Sequence, residues 1–284
     1  MRIADALAQT PVSSLDLSRH VTVTADTSVA DTVRAMSEAA RSCTCVVDHD
    51  ELVGSFTQRD VLTRVLGHRR IWDRPISEEM SQPVRTMTND QSLADGLAVM
   101  TNWWVRSVPV IDESDRVVGN LSFWTVLDTI ANLLAARVES TSSEPAIRDG
   151  LRFVDFTGLN LHPPVTVALD DTVDVAVHHM RNQGIGLILV VDDREHLCGI
   201  VSEFSLLLKV GCDREDLAAI TVKEVMDSSP NTVHVRSSIA DALAELTTHE
   251  DSHVALTGET DRPVGVASFR DIAAYVESSI EALD

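Results

Sequence analysis

Two short stretches of this chain set a hydroxyl, an arginine and a carboxylate at the same spacing: Thr57-Gln58-Arg59-Asp60 and Ser268-Phe269-Arg270-Asp271. A hydroxyl followed three residues later by an acid is a variant of the capping box that starts a helix, so both residue types have a structural use there. The arginine before each acid adds a cationic donor close to the positive end of a helix, a combination suited to holding a small anion. Little else in the chain is equipped for chemistry. There is no Ser-His-Asp ordering, no Walker lysine and no dinucleotide-binding glycine loop, and His178-His179 has no second ligand pair at helical spacing to make a metal site. The four cysteines, two of them alternating as Cys43 and Cys45, show no Cys-x-x-Cys spacing and no disulfide framework, and are expected to be buried strand thiols. These absences argue against an enzyme.

The elements that must position the two stretches recur four times. A strand-like run ends in Gly54-Ser55-Phe56-Thr57, Gly119-Asn120-Leu121-Ser122, Gly199-Ile200-Val201-Ser202 and Gly265-Val266-Ala267-Ser268. Upstream of each lies a helical pattern opened at Ser28-Val29, Ser92-Leu93, Thr172-Val173 and Ser238-Ile239, and its first apolar residue precedes the glycine by 25, 26, 26 and 26 residues. Such fixed internal spacing marks a duplicated supersecondary unit. In the first copy Val21–Val23 reads as a strand, and Val29, Val33 and Met36 fall on one helical face. Cys43–Val47 and Leu52–Phe56 form a hairpin about Asp48-His49-Asp50, and Asp60–Leu66 returns to helical spacing. The order is β-α-β-β-α, which makes an α/β protein. Successive glycines stand 65, 80 and 66 residues apart, and the surplus falls on the polar stretch 138–150. The expected organisation is therefore a first pair at 1–137 (repeats about 15–70 and 76–137), a linker at 138–150, and a second pair at 151–284 (repeats about 151–212 and 219–284).

Charge is the second strong signal. The formal net charge is −21, with Lys209 and Lys223 the only lysines. A surface this acidic repels itself in dilute buffer and is relieved when about 1 M salt shortens the Debye length to roughly 3 Å, which suits a salt-rich cytoplasm such as that of halophilic archaea. The same acidity argues against nucleic acid as a partner. No apolar stretch approaches the ~20 residues needed to span a bilayer, and Asp5 interrupts a signal-peptide reading, so the expected location is the cytoplasm, with no membrane partner.

The repeat order, its closing Gly-x-x-Thr/Ser-x-x-Asp and the strand Val105-Arg106-Ser107-Val108-Pro109-Val110-Ile111-Asp112 resemble the cystathionine-beta-synthase (CBS) domain family over nearly the whole chain. The resemblance implies four CBS repeats paired through their sheets into two Bateman modules, with clefts that take adenosine-containing ligands: AMP, ADP, ATP or S-adenosylmethionine. It implies that the acid six residues after the glycine contacts ribose, since one carboxylate can accept from both hydroxyls. Asp60 and Asp271 keep that acid, whereas the second and third repeats carry Thr125 and Ser205, which offer fewer acceptors and no charge. The implied nucleotide-binding residues are Thr57, Arg59, Asp60 and Arg106 for the first site and Ser268, Arg270 and Asp271 for the second. Arg106 falls where AMP-activated kinase gamma subunits, which resemble this sequence, carry a phosphate-contacting histidine.

The cap reading remains beside the ribose reading, because the hydroxyl recurs in all four repeats while the acid occurs in two. Trp103-Trp104, at the end of the second repeat's first helix, is expected in the core or at a subunit interface rather than as a base-stacking platform. The function expected is a regulatory adenine-nucleotide sensor acting on an unidentified protein, with no metal and with a homodimer among the expected assemblies. The alternatives are a ligand-free structural or adaptor protein and a sensor of S-adenosylmethionine, which needs no phosphate donors.

Overall fold

Apolar residues at the first, fifth and eighth positions of each leading helix set the architecture. In the computed structural model, which describes residues 3–18, 20–126, 129, 156, 161, 163–238, 253–268 and 271, Val29, Val33 and Met36 are buried, and so are Leu93, Leu97 and Met100, and Val173, Val177 and Met180. The fourth repeat's leading helix, Arg270 and the stretch 138–150 lie outside the described residues.

The chain begins with α1 (Ile3–Gln9). The first repeat follows as β1 (Val21–Thr24), α2 (Val29–Glu38), β2 (Cys43–Asp48), β3 (Glu51–Thr57) and the short α3 (Gln58–Asp60), which runs on as a π-turn over Val61–Val65. The second comprises β4 (Met87–Thr88), α4 (Leu93–Trp103), β5 (Ser107–Ile111) and β6 (Val117–Ser122). The third comprises β7 (Thr166–Ala168), α5 (Val173–Gln183), β8 (Leu187–Val191), β9 (Leu197–Ser202) and α6 (Glu203–Lys209), followed by α7 (Val222–Val225). The fourth shows β10 (Thr232–His234), β11 (His253–Thr257) and β12 (Pro263–Ser268). Every repeat builds the same three-stranded sheet, with its first two strands parallel, joined through the helix in repeats one to three, and its last two an antiparallel hairpin. In all four hairpins the register shifts one residue past the repeat glycine's partner: Val46 pairs Gly54, Val110 pairs Gly119, Val190 pairs Gly199 and Leu256 pairs Gly265.

The glycine has a packing reason. Three straps cross repeats one, two and three: residues 74–81, 10–17 and 220–227. Ser55 N donates to Ser81 O at 3.1 Å, Asn120 N to Leu17 O at 3.3 Å and Ile200 N to Asp227 O at 3.0 Å. A Cβ on Gly199 would stand 2.5 Å from Asp227 O, and one on Gly119 would overlap Leu17 Cβ, so only glycine admits the strap. The strap over the second repeat is the N-terminal segment of the chain: Val12 N donates to Gln91 O at 2.9 Å and Leu93 N to Thr10 O at 2.8 Å. Leu7, Val12 and Leu17 then complete the core of Leu93, Leu97, Met100, Val108 and Leu121.

Repeats pair within each half through their sheets. Leu52 N donates to Asp115 O at 3.0 Å in the first half, and Leu197 N to Asp261 O at 3.0 Å in the second, where Leu187, Leu189, Ile200 and Ala255 share a core. These are the two Bateman modules. They join through repeats one and three, whose helices form one core holding Val33, Met36 and Leu62 beside Ala176, Leu206 and Val210. Arg181 on α5 donates to the carbonyls of Leu62 and Leu66, both at 2.8 Å, and burial lowers its pKa. A guanidinium on the last carbonyls of a helical segment satisfies otherwise unpaired acceptors, so Arg181 rivets one module to the other. Val126, at the start of the helix that follows β6, is buried in the core of the second repeat, and the apolar residues Ile130 and Leu133 beyond it lie outside the described residues.

Candidate functional site

The site begins at the ends of the hairpins. There the backbone turns from strand to helix, and the closing hydroxyl accepts from the backbone N–H three residues on: Asp60 N to Thr57 Oγ1 at 3.3 Å, Thr125 N to Ser122 Oγ at 3.2 Å, Ser205 N to Ser202 Oγ at 3.1 Å and Asp271 N to Ser268 Oγ at 3.4 Å. The hydroxyls are thus caps in all four repeats. The reciprocal half, acceptance from the capping residue's own N–H, is made by Asp60, Asp271 and Ser205. Asp60 Oδ2 accepts from Thr57 N at 2.8 Å and Thr57 Oγ1 at 2.7 Å, and Asp271 Oδ2 accepts from Ser268 N and Oγ, both at 2.7 Å. Ser205 Oγ does the same for Ser202 N at 2.9 Å, and Thr125 Oγ1 lies 2.9 Å from Ser122 Oγ.

A hydroxyl therefore closes the cap as a carboxylate does, and the second oxygen of Asp60 is left for other partners. Asp60 is 7% exposed, and its Oδ1 lies 3.4 Å from Arg64 Nη2 and 3.5 Å from Ser81 Oγ on the strap. Cys43 connects this carboxylate with the second repeat. Its thiol is raised to about 11, chiefly by desolvation and in smaller part by the nearby Asp60, with Ser107 and Arg106 acting to lower it.

Arg59 and Arg106 converge on a residue that the motif analysis did not single out. Glu203, first residue of α6, is 1% exposed. Its Oε1 lies 2.5 Å from Arg59 Nε, and its Oε2 lies 2.9 Å from Arg106 Nη2 and 3.1 Å from Gln58 Nε2. Arg59 also donates to Ile185 O at 3.3 Å. Residues from the first two repeats thus close on an acid from the third. His253 of the fourth repeat is also at hand, since a Cβ on Gly186 would stand 3.1 Å from its Cε1 and 3.3 Å from Glu203 Cδ. The sequence did hold a signal: Glu203 and Gln58 both stand four residues after the repeat glycine, where the other two repeats carry Phe123 and Phe269.

The structure holds two cavities. One of about 560 Å³ lies among the first three repeats and the start of the fourth, and Arg41, Arg106, Ser107, Thr125, Ser205 and Lys209 are among its walls. The other, about 580 Å³, lies between the hairpins of the first module, against Leu52, Val53, Gln82, Pro83, Val84 and Ile111. The central cavity opens on the two hydroxyl positions; Asp60 lines neither. Arg270 lies outside the described residues. Trp103 and Trp104 are 53% and 66% exposed, which removes the core alternative of the expectation and leaves the subunit interface; the Arg85 guanidinium stacks 3.5 Å over the Trp103 ring.

Comparison with known proteins accords with this geometry. The CBS domain model matches residues 12–67, 76–132, 159–211 and 222–278. The Meiotically up-regulated gene 70 protein of Schizosaccharomyces pombe is 23% identical across 95% of this chain and 44% of its own length. The CBS domain-containing protein CBSCBSPB2 of Arabidopsis thaliana is 24% identical across 82% of this chain and 47% of its own. The chain thus spans about half the length of these curated relatives. Among solved structures, a Methanocaldococcus jannaschii protein described as a putative archaeal homolog of g-AMPK superposes with a TM-score of 0.73 at 14% identity, covering 94% of this chain and 99% of its own. Four repeats of one sheet topology, each capped at the same place and each matched by the same family model, establish that the chain belongs to the CBS domain family.

Proposed function

We infer that this protein is a regulatory sensor which binds an adenine nucleotide through Asp60 in the first module and Asp271 in the second, and passes its occupancy to another protein. The observation that carries the reading is the equivalence of the caps at Asp60, Ser205 and Asp271. Ser205 closes the cap with a hydroxyl, so capping does not require a carboxylate at Asp60 or Asp271. At Asp60 the cap takes Oδ2, and Oδ1, beside Arg64 and Ser81, is a charged acceptor that suits a diol. Arg106, within electrostatic reach of the thiol that also senses Asp60, supplies a donor for phosphate from the neighbouring repeat. Arg59 and Arg270 are its companions in the first and second sites.

Regulation follows as a population shift: a ligand held by two repeats favours the arrangement in which its ribose and phosphate contacts coexist, and only that differential affinity does work on a partner. The absence of any helix, among the described residues, long and apolar enough to cross a membrane is compatible with this role. Thermal unfolding in molar salt against AMP, ADP, ATP and S-adenosylmethionine tests the reading, since a ligand at 100 times its dissociation constant adds about 2.7 kcal/mol. A rise in melting temperature with the nucleotides supports it. No rise with any of the four leaves an adaptor, and a rise with S-adenosylmethionine alone reassigns the ligand.

A further inference from the structure

We propose that Glu203 is an internal anion: it occupies the Arg59–Arg106 pair, and the phosphates of an incoming ligand compete with it for those guanidiniums. The inference rests on the nucleotide reading and specifies its regulation. Glu203 belongs to the second module and both arginines to the first, so the carboxylate docks across the module boundary into the two groups suited to hold phosphate. No other repeat carries an acid at this position.

The pocket around Glu203 is incompletely satisfied. Its Oε1 is charge-paired with Arg59 but makes no well-directed hydrogen bond, and Gln58 Oε1 is likewise buried without one. Buried acceptors left in this state weaken the hold on the native arrangement, and a partly satisfied network is the easier one to exchange. The arginines are also reachable: the Arg59 and Arg106 side chains are 35% and 24% exposed against 1% for the acid, and Arg106 forms part of the central cavity wall. A phosphate can approach the guanidinium from the cavity while the carboxylate holds it from behind. Glu203 and a ligand's phosphates cannot share two cations at no cost, so each phosphate contact loosens the Glu203 contact. Reciprocity then requires that Glu203 lower phosphate affinity by the same factor.

Calorimetric titration of ATP, adenosine and inorganic tripolyphosphate into wild type, Glu203→Gln and Arg106→Gln, each checked for folding by its melting transition in molar salt, tests this. Glu203→Gln removes the competing charge and keeps the shape. Site-to-site couplings commonly run about 5- to 150-fold, so the ratio of ATP to adenosine affinity should rise about tenfold in Glu203→Gln and fall in Arg106→Gln. Tripolyphosphate affinity should move the same way. A purely structural Glu203 would leave the ratio unchanged, and that result, or a fall, overturns the proposal. If neither ATP nor adenosine binds any form, the nucleotide reading fails by itself, and the tripolyphosphate arm decides the internal-anion claim: tighter binding to Glu203→Gln sustains it, equal binding overturns it. If Glu203→Gln does not fold, Arg106→Gln decides: loss of tripolyphosphate binding sustains the proposal and retention overturns it.

Discussion

Asp60→Ser converts the first repeat's acid position into that of the third, where Ser205 Oγ accepts from Ser202 N at 2.9 Å. The replacement should therefore still accept from Thr57 N, as Asp60 Oδ2 does at 2.8 Å, and keep the cap. The loss falls on the other oxygen. Its Arg64 contact is long and lies on a side chain 42% exposed, so it adds little stability. The expected cost to folding is under about 1 kcal/mol, the size of a whole lost cap. Ligand affinity behaves differently. A hydrogen bond to a charged group is worth about 1.5–3 kcal/mol, so the first site should weaken by about 10-fold to over 100-fold. Asp60→Ala is the contrast, since it removes the reciprocal half of the cap and the acceptor together and should lose both stability and affinity. Calorimetry of AMP and ATP binding, beside thermal melts in the same molar salt, separates the two effects. Unchanged affinity in a folded Asp60→Ser protein would show that the carboxylate only caps, and the ribose assignment would fall.

Three further expectations follow from the same structure. With a net charge of −21, the melting temperature should drop on dialysis from molar to dilute salt, and equal transitions would refute a salt-dependent fold. Gly199→Ala forces a Cβ to within 2.5 Å of Asp227 O and should destabilise the protein by about 1–3 kcal/mol through a displaced strap, as read from denaturant midpoints. Cys43, held near 11, should have about 0.1% thiolate at pH 8 against about a quarter for a free thiol, so its alkylation should be slow at pH 8 and accelerate as the pH climbs toward 11. Rapid labelling of Cys43 at pH 8, mapped by mass spectrometry, would contradict this.

What could be read in the sequence was local. The glycine spacing, the caps and the hairpin about His49 and Asp50, both of which take positive φ, depend on residues a few positions apart, and periodicity exposes them. The straps were not legible, because a segment such as 10–17 lies beside the first repeat in sequence and on the second in space. Glu203 and Arg181 were missed for a related reason. Each is an ordinary charged residue on a helix, and its role appears only when repeats one and three meet 145 and 119 residues apart in sequence. For the tryptophans, the core alternative failed because hydrophobicity predicts burial only on average, whereas Trp104 is 66% exposed at a left-handed helix end, which leaves the interface alternative. The motif acids were legible as positions, but the sequence alone did not show that a hydroxyl closes the same cap.

The account stands most directly on the number of nucleotides that one chain binds. Titration calorimetry of AMP and ATP into the full-length protein in molar salt should give two sites per chain, one in Asp60→Ala or Asp271→Ala, and none in the double variant. A wild-type stoichiometry of zero, or two sites surviving in a folded double variant, would contradict it.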